Sequence, residues 1–203
     1  MSHPFQTAIS RLNKDLIDLA QIPNVRVDLR YNGTNNFMST DLYRGFNKAY
    51  LHEIAFYKLQ RCCLEIQKAK PEYKVLVLDA LRPRSVQTLM YAHVQETPWK
   101  NYVADPRLGS LHNFGMAIDL TLLDSSGHEL DMGTGFDDFS VRAQPQLELE
   151  LVKAGELTEL QIQNRLLLRG WMESAGFQQL PHEWWHYNAL PAADVRGHFE
   201  IVE

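Results

Sequence analysis

Five residues able to bind a metal or move a proton lie in two short segments. The first reads Ser110-Leu-His112-Asn-Phe-Gly115-Met-Ala117-Ile-Asp119. Imidazole nitrogens and carboxylate oxygens are both zinc ligands. Asp119 falls in an apolar run, where an ionised carboxylate is costly unless a cation or hydrogen bonds compensate it. The spacing of seven between His112 and Asp119 is odd, so an unbroken strand would send the two side chains to opposite faces. A shared ion therefore requires the chain to bend near Gly115. The alternative is a core histidine and a hydrogen-bonded aspartate.

The second segment, His182-Glu183-Trp184-Trp185-His186, matches H-E-x-x-H, the helical motif of zinc peptidases. A long helix fits poorly here, because Pro181 and Pro191 leave only nine residues between them. Adjacent tryptophans also favour a strand. The extended form of that motif needs a glycine and a histidine where the chain has Ala189 and Ala192, and only His198, Glu200 and Glu203 remain as later ligands. The other arrangement takes His186 as a ligand beside His112 and Asp119 and leaves Glu183 free. Two histidines and one carboxylate leave a fourth position open, as in catalytic zinc sites. Zinc lowers the pKa of bound water to ~7, and a nearby carboxylate can take its proton and pass it to a leaving amine. Glu183 and His186 are oddly spaced too, so this arrangement needs a bulge or strand end between them. An aromatic edge strand with an incidental histidine is the third reading.

The elements around these segments follow from periodicity. Phe5, Ala8, Ile9, Leu12, Leu16 and Leu19 recur at helical spacing and predict a helix over 5–20. Val25-Arg-Val-Asp-Leu reads as a short strand, followed by a turn-rich loop to about residue 46. A long amphipathic helix is expected over 47–69, carrying the adjacent Cys62 and Cys63 as buried thiols rather than a disulfide. Tyr73-Lys-Val-Leu-Val-Leu predicts a central strand that ends at Arg82-Pro83, with a helix over 84–95 and a loop over 96–110. Met116 to Leu123 predicts a second central strand, and His128-Glu-Leu a hairpin partner for it. Residues 156–175 have a helical pattern capped by Gly176, and Glu183 to Tyr187 is strand-like. The charged stretch Glu148 to Glu159 reads as a solvated face. The sum is an α+β fold: a small antiparallel sheet flanked by helices, with the zinc site at the sheet.

The chain has 203 residues, 20 Lys+Arg against 25 Asp+Glu and 45% hydrophobic residues. This length fits a single domain over residues 1–203. The mild negative charge argues against nucleic acid as a partner, and no apolar run reaches the ~20 residues that span a bilayer. The opening residues lack an apolar leader segment, so a cytoplasmic protein is expected.

Taken together, the segments resemble the zinc D-Ala-D-Ala dipeptidases of the vancomycin-resistance type, within the M15 peptidases. The resemblance rests on S-x-H-x-x-G-x-A-x-D at Ser110, His112, Gly115, Ala117 and Asp119, then E-x-W-H at Glu183, Trp185 and His186. It extends to Asp28-Leu-Arg-Tyr31 with Asn36-Phe37, to Asp79-Ala-Leu-Arg82-Pro83 and to Met132-Gly133-Thr-Gly-Phe136-Asp137, in the same order from about residue 25 to 190. No motif aligns over 138–165. The resemblance implies one zinc per chain on His112, Asp119 and His186, with Glu183 as general base. It implies that Arg82 stabilises the oxyanion, where a surface ion pair with Asp79 is the alternative. Ser110, Asp137 and Tyr31 are implied substrate contacts, Asp137 for the dipeptide ammonium, although Asp138 beside it could exchange roles.

The implied reaction is hydrolysis of D-alanyl-D-alanine, a small-molecule dipeptide, in cell-wall recycling or glycopeptide resistance. The rivals are another M15 activity, a D,D-carboxypeptidase or L-alanyl-D-glutamate endopeptidase, and a non-catalytic zinc-binding interaction domain of the hedgehog type. Glu183 and Arg82 favour an enzyme, since a structural zinc needs neither. The resemblance also implies a small closed cavity, and Phe114, Phe136, Trp184 and Trp185 flank the proposed site residues as candidate walls.

Overall fold

The computed structural model describes residues 15–203. Five strands form the main sheet: β2 (Val25–Val27), β4 (Lys74–Asp79), β5 (Ala117–Leu123), β6 (Gln178–Gln179) and β7 (His186–Asn188). Their order is β2-β4-β5-β7-β6; β2 pairs with β4 in parallel and every other neighbour is antiparallel. This is the expected α+β fold with a small, mainly antiparallel sheet. Strand β5 is buried at all seven positions, which explains its unbroken apolar sequence.

Helix α1 (Glu53–Ala69) buries Ala55, Leu59, Cys62 and Ile66 at helical spacing. They share one core with Val75, Val77, Ile118, Leu120 and Leu122 of the two central strands. Helix α2 (Arg84–Val94) starts at Pro83, whose fixed φ suits a helix start and whose missing donor is not needed there. Helix α3 (Glu148–Lys153) is short, and α4 (Glu159–Ser174) opens on a Thr158–Gln161 capping box. Gly176, at φ +92°, follows its last turn. Helix α5 (Ala192–His198) ends the element order. No helix among the described residues is long and apolar enough to cross a membrane.

Several expectations need correction. The first part of the helix expected over 5–20 lies outside the described residues, and the remainder is not helical. Leu16–Asp18 forms β1, antiparallel to β3 (Tyr50–His52), and Leu19–Gln21 is a 3-10 turn capped by the Asp18 side chain. The spacing of Leu16 and Leu19 fits a helix face, and pairing of residues 16–18 with β3 overrides that local pattern. Strand β3 also removes the first residues of the helix expected over 47–69, and His52 caps the shortened helix α1. The hairpin partner expected at His128-Glu-Leu shrinks to an isolated bridge between Leu123 and Glu129. The strand expected at Glu183 starts only at His186, because residues 181–185 turn. Glu148 is not on a solvated face: it is 5% exposed, and Arg169 Nη2 reaches both of its carboxylate oxygens at 2.7 and 2.8 Å.

Candidate metal centre

The site is built on a row across three strands. Asp119 of β5 lies opposite His186 of β7 on one side and Asp79 of β4 on the other. Paired residues of neighbouring strands share a face. Unbroken alternation along β4 would set Leu78 opposite Asp119. A one-residue register shift between Val77 and Asp79 brings Asp79 there instead, the usual effect of a bulge beside a functional site.

His112 joins the row from above. It sits in a 3-10 turn, Leu111–Phe114, opened by a Ser110–Asn113 capping box and closed by Gly115 at φ +66°. A β-carbon at Gly115 would lie 2.8 Å from the His52 backbone nitrogen, so both conformation and space demand glycine. This is the bend that the odd spacing required. His186 begins β7 while Glu183 precedes it in a turn, which resolves the second odd spacing.

His112, Asp119 and His186 each offer a ligand atom, all within 4.8 Å of one another. His112 Nε2 lies 3.2 Å from His186 Nδ1, and Asp119 oxygens lie 3.3 and 2.9 Å from these nitrogens. The remaining ring nitrogens are held from behind. His112 Nδ1 donates to the Ala80 carbonyl at 2.7 Å, and His186 Nε2 donates to Asn188 Oδ1 at 2.8 Å. A neutral imidazole has one N–H, so each ring turns a bare lone pair towards the other and towards a carboxylate. Three electron-rich atoms meeting in a buried space call for a cation, and ligating histidines are commonly oriented in this way. The donor set of two imidazoles and one carboxylate therefore fits zinc.

Glu183 borders the same space, with Oε2 3.8 Å from His186 Nδ1. Burial pushes its carboxyl up to about 7, against the opposing influence of His186. Arg82 is buried rather than in a surface pair: Nε and Nη2 hold Asp79 Oδ2 at 2.9 and 2.6 Å, and Nη1 holds Gln87 Oε1 at 2.9 Å. Its guanidinium packs 5.0 Å from the centre of the Tyr31 ring and reaches within 3.8 Å of Asp119.

Tyr31 donates from its hydroxyl to Asp137 Oδ1 at 2.9 Å, and the Phe37 N–H points at Oδ2 from 3.3 Å. Burial pushes the Asp137 carboxyl up to about 7. Asp137 adopts φ +60°, a left-handed conformation that aspartate tolerates better than most residues. Asp138 turns away and accepts the Ser140 N–H at 2.8 Å. His182 is exposed and lies near Gln146, apart from the cluster.

Tyr31, Arg82, His112, Asp119, Asp137, Glu183 and His186 line one cavity of about 210 Å³, together with Ser110, Gln87 and Asn188. Of the four aromatics expected as walls, only Trp185 lines it; Tyr31, Phe37, Tyr102 and Phe139 are the other aromatics there. Phe136 instead packs edge-on between Tyr31 and Trp185, Trp184 bonds Thr134, and Phe114 is in the core. Sequence reasoning missed Asn188, Gln87 and Phe139, and named Phe37 only as part of the resemblance. Asn188 was findable, since it lies two residues after His186 on one strand and so shares its face. The others carry no local signal.

An α+β sheet bearing two imidazoles and a carboxylate, with a further buried carboxylate over an open cavity, is the architecture of a metallohydrolase. The chain belongs to the M15 peptidases: the family model described as D-ala-D-ala dipeptidase matches residues 13–202. A D-alanyl-D-alanine dipeptidase of Escherichia coli (strain K12) is 33% identical over 88% of this chain and 86% of its own length. D-alanyl-D-alanine dipeptidases of Enterococcus faecium and Synechocystis are each 30% identical, covering 82% and 72% of this chain and 86% and 71% of their own.

Proposed function

We propose that this chain is a zinc dipeptidase that hydrolyses D-alanyl-D-alanine to two D-alanines. The observation that carries the reading is the trio of His112 Nε2, His186 Nδ1 and Asp119, with ring tautomers set from behind by Ala80 and Asn188. Those three residues would hold one zinc. When bound, the metal supplies Lewis acidity towards the scissile carbonyl and towards water.

The other steps belong to the chain itself. Glu183 takes a proton from the attacking water and delivers it to the leaving amine, a role suited to a carboxyl near neutrality. Its carboxylate accepts no hydrogen bond from the described residues, which leaves it free for water. Arg82, held by Asp79 and Gln87, faces the negative charge that develops on the carbonyl oxygen. Asp137 binds the substrate ammonium, with its carboxylate oriented by Tyr31 and by the Phe37 amide. Ser110 contacts the substrate beside His112. The products are a free carboxylate and a free amine from one water and one peptide bond.

The test is incubation of the purified, zinc-loaded protein with D-Ala-D-Ala, L-Ala-L-Ala and a wall pentapeptide, following amine release. Turnover confined to D-Ala-D-Ala is expected. Preference for the pentapeptide would replace this reading with a carboxypeptidase or endopeptidase, and zinc binding without turnover of any of them with a binding domain.

A further inference from the structure

The catalytic cavity is not the only hollow at this end of the molecule. A second one, of about 420 Å³, is lined by Phe37, Trp99, Asp137, Asp138, Phe139 and Ser140. The two hollows share Phe37, Asp137 and Phe139, so these three residues form the partition between them. The rings of Phe37 and Phe139 touch, with centroids 5.3 Å apart. Each is braced: Phe139 stacks on Tyr102 at 5.0 Å and leans on Trp99 at 5.8 Å, while Phe37 meets the edge of His93 at 5.9 Å. The Phe37 amide also points at Asp137 Oδ2. Ammonium anchor and aromatic wall are therefore one construction.

We propose that the Phe37–Phe139 pair determines substrate length, by closing the space into which a peptide extended at its amino end would run. This rests on the reading of Asp137 as the ammonium site. An added residue lengthens a peptide by ~3.3–3.6 Å, so a tripeptide whose C-terminal bond lies at the metal must carry its first residue past Asp137 and through the two rings. Beyond them lies the outer hollow with Asp138, one of whose oxygens caps Ser140; its carboxylate offers a displaced ammonium a second partner. Opening the wall thus joins the catalytic cavity to a space of suitable size and charge, without touching a metal ligand, Glu183 or Arg82.

The experiment compares kcat/KM for Gly-D-Ala-D-Ala, cleaved to Gly-D-Ala and D-Ala, with that for D-Ala-D-Ala. It is run on the zinc-loaded wild-type chain, Phe139→Ala and Phe139→Leu. Phe37→Leu approaches the wall from the other side and serves if Phe139→Ala does not fold. The tripeptide-to-dipeptide ratio should rise by ~10-fold or more in Phe139→Ala, since a single methylene in a close-fitting pocket is worth roughly 10–200-fold. A smaller rise is expected for the two leucine variants. A ratio that stays at the wild-type value in folded variants that still cleave D-Ala-D-Ala overturns the wall. A wild-type chain inactive on D-Ala-D-Ala overturns the dipeptidase reading itself, and the wall with it.

Discussion

The row of acidic and imidazole groups across the sheet and the aromatic wall of the cavity are built on opposite plans. Asp79, Asp119 and His186 sit side by side because backbone ladders of β4, β5 and β7 hold them there. Tyr31, Phe37, Asp137 and Phe139 stand on loops, which side chains must tie down. Asn36 donates to the carbonyls of Arg30, Gly33 and Thr40 and so shapes the first loop. Arg165 of α4 spans the second: Nε donates to the Met132 carbonyl at 2.7 Å and Nη2 to the Arg142 carbonyl at 2.9 Å. One buried guanidinium thus joins both ends of the segment that presents Asp137 and Phe139. The proposed function thus places chemistry on a hydrogen-bonded sheet and recognition on loops that a few polar ties hold in shape.

If this division holds, damage to the row should abolish metal binding, and damage to the loops should change recognition alone. The largest effect is expected for His112→Ala and His186→Ala, which should lose both zinc and turnover, whereas His182→Ala should retain both. Metal analysis of the three purified variants checks this, and a metal-free His182→Ala beside a loaded His112→Ala would restore the helical H-E-x-x-H reading.

Next come the groups that act on the reacting atoms without holding the metal. Glu183→Ala should keep zinc and lose ~10²–10⁴-fold in kcat. Arg82→Ala should lose ~10²–10³-fold, mainly in kcat, as expected for a donor to the transition state. Arg82→Lys should recover only part of this, because lysine lacks the planar fork that spans Asp79 and Gln87. A pure KM effect would reassign Arg82 to ground-state binding.

A smaller effect is expected from the loop tie. Arg165→Lys keeps a positive charge near Glu148 but cannot reach both Met132 and Arg142 in the same way. KM for D-Ala-D-Ala should rise several-fold while zinc content and kcat change little. Loss of zinc in this variant would erase the proposed independence of the two regions.

The smallest and most specific effect concerns pH. Burial lifts the Asp137 carboxyl to about 7 in the folded chain, against ~3.9 unfolded. Between about pH 4 and 7 the native state therefore keeps a proton that the unfolded chain has released. This contribution to stability is full below pH 4 and is lost as the pH rises through 7. Asp137→Asn should remove that slope, so its melting temperature should gain on the wild type from pH 5 to pH 8. Parallel melting curves across this range would show that Asp137 is not the buried acid described here.

Legibility in the sequence followed the same division. The convergence of His112, Asp119 and His186, with Glu183 beside them, could be read because imidazole, carboxylate and glycine are distinctive at short spacing, and because two odd spacings demanded a bend and a strand end. Helices α1, α2 and α4 could be read from their periodicity. Strand β1 could not, because Leu16 and Leu19 have the spacing of a helix face, and only the pairing of Leu16–Asp18 with Tyr50–His52 overrides it. Glu148 looked like one more charge in an acidic run, and only the approach of Arg165 and Arg169 from α4 makes it a buried partner.

By itself, then, the sequence determined the family motifs, the types of residue that gather at the sheet and the central strands, each of which is written in a short segment of the chain. Tertiary structure alone decided the register shift that sets Asp79 beside Asp119, the choice of Asp137 over Asp138 to face the cavity, and the Phe37–Phe139 partition. The reason is physical. A local pattern records backbone preference and side-chain type, whereas a register, a buried ion pair or a wall between two hollows is an interaction between segments far apart in the chain, about a hundred residues apart for Phe37 and Phe139.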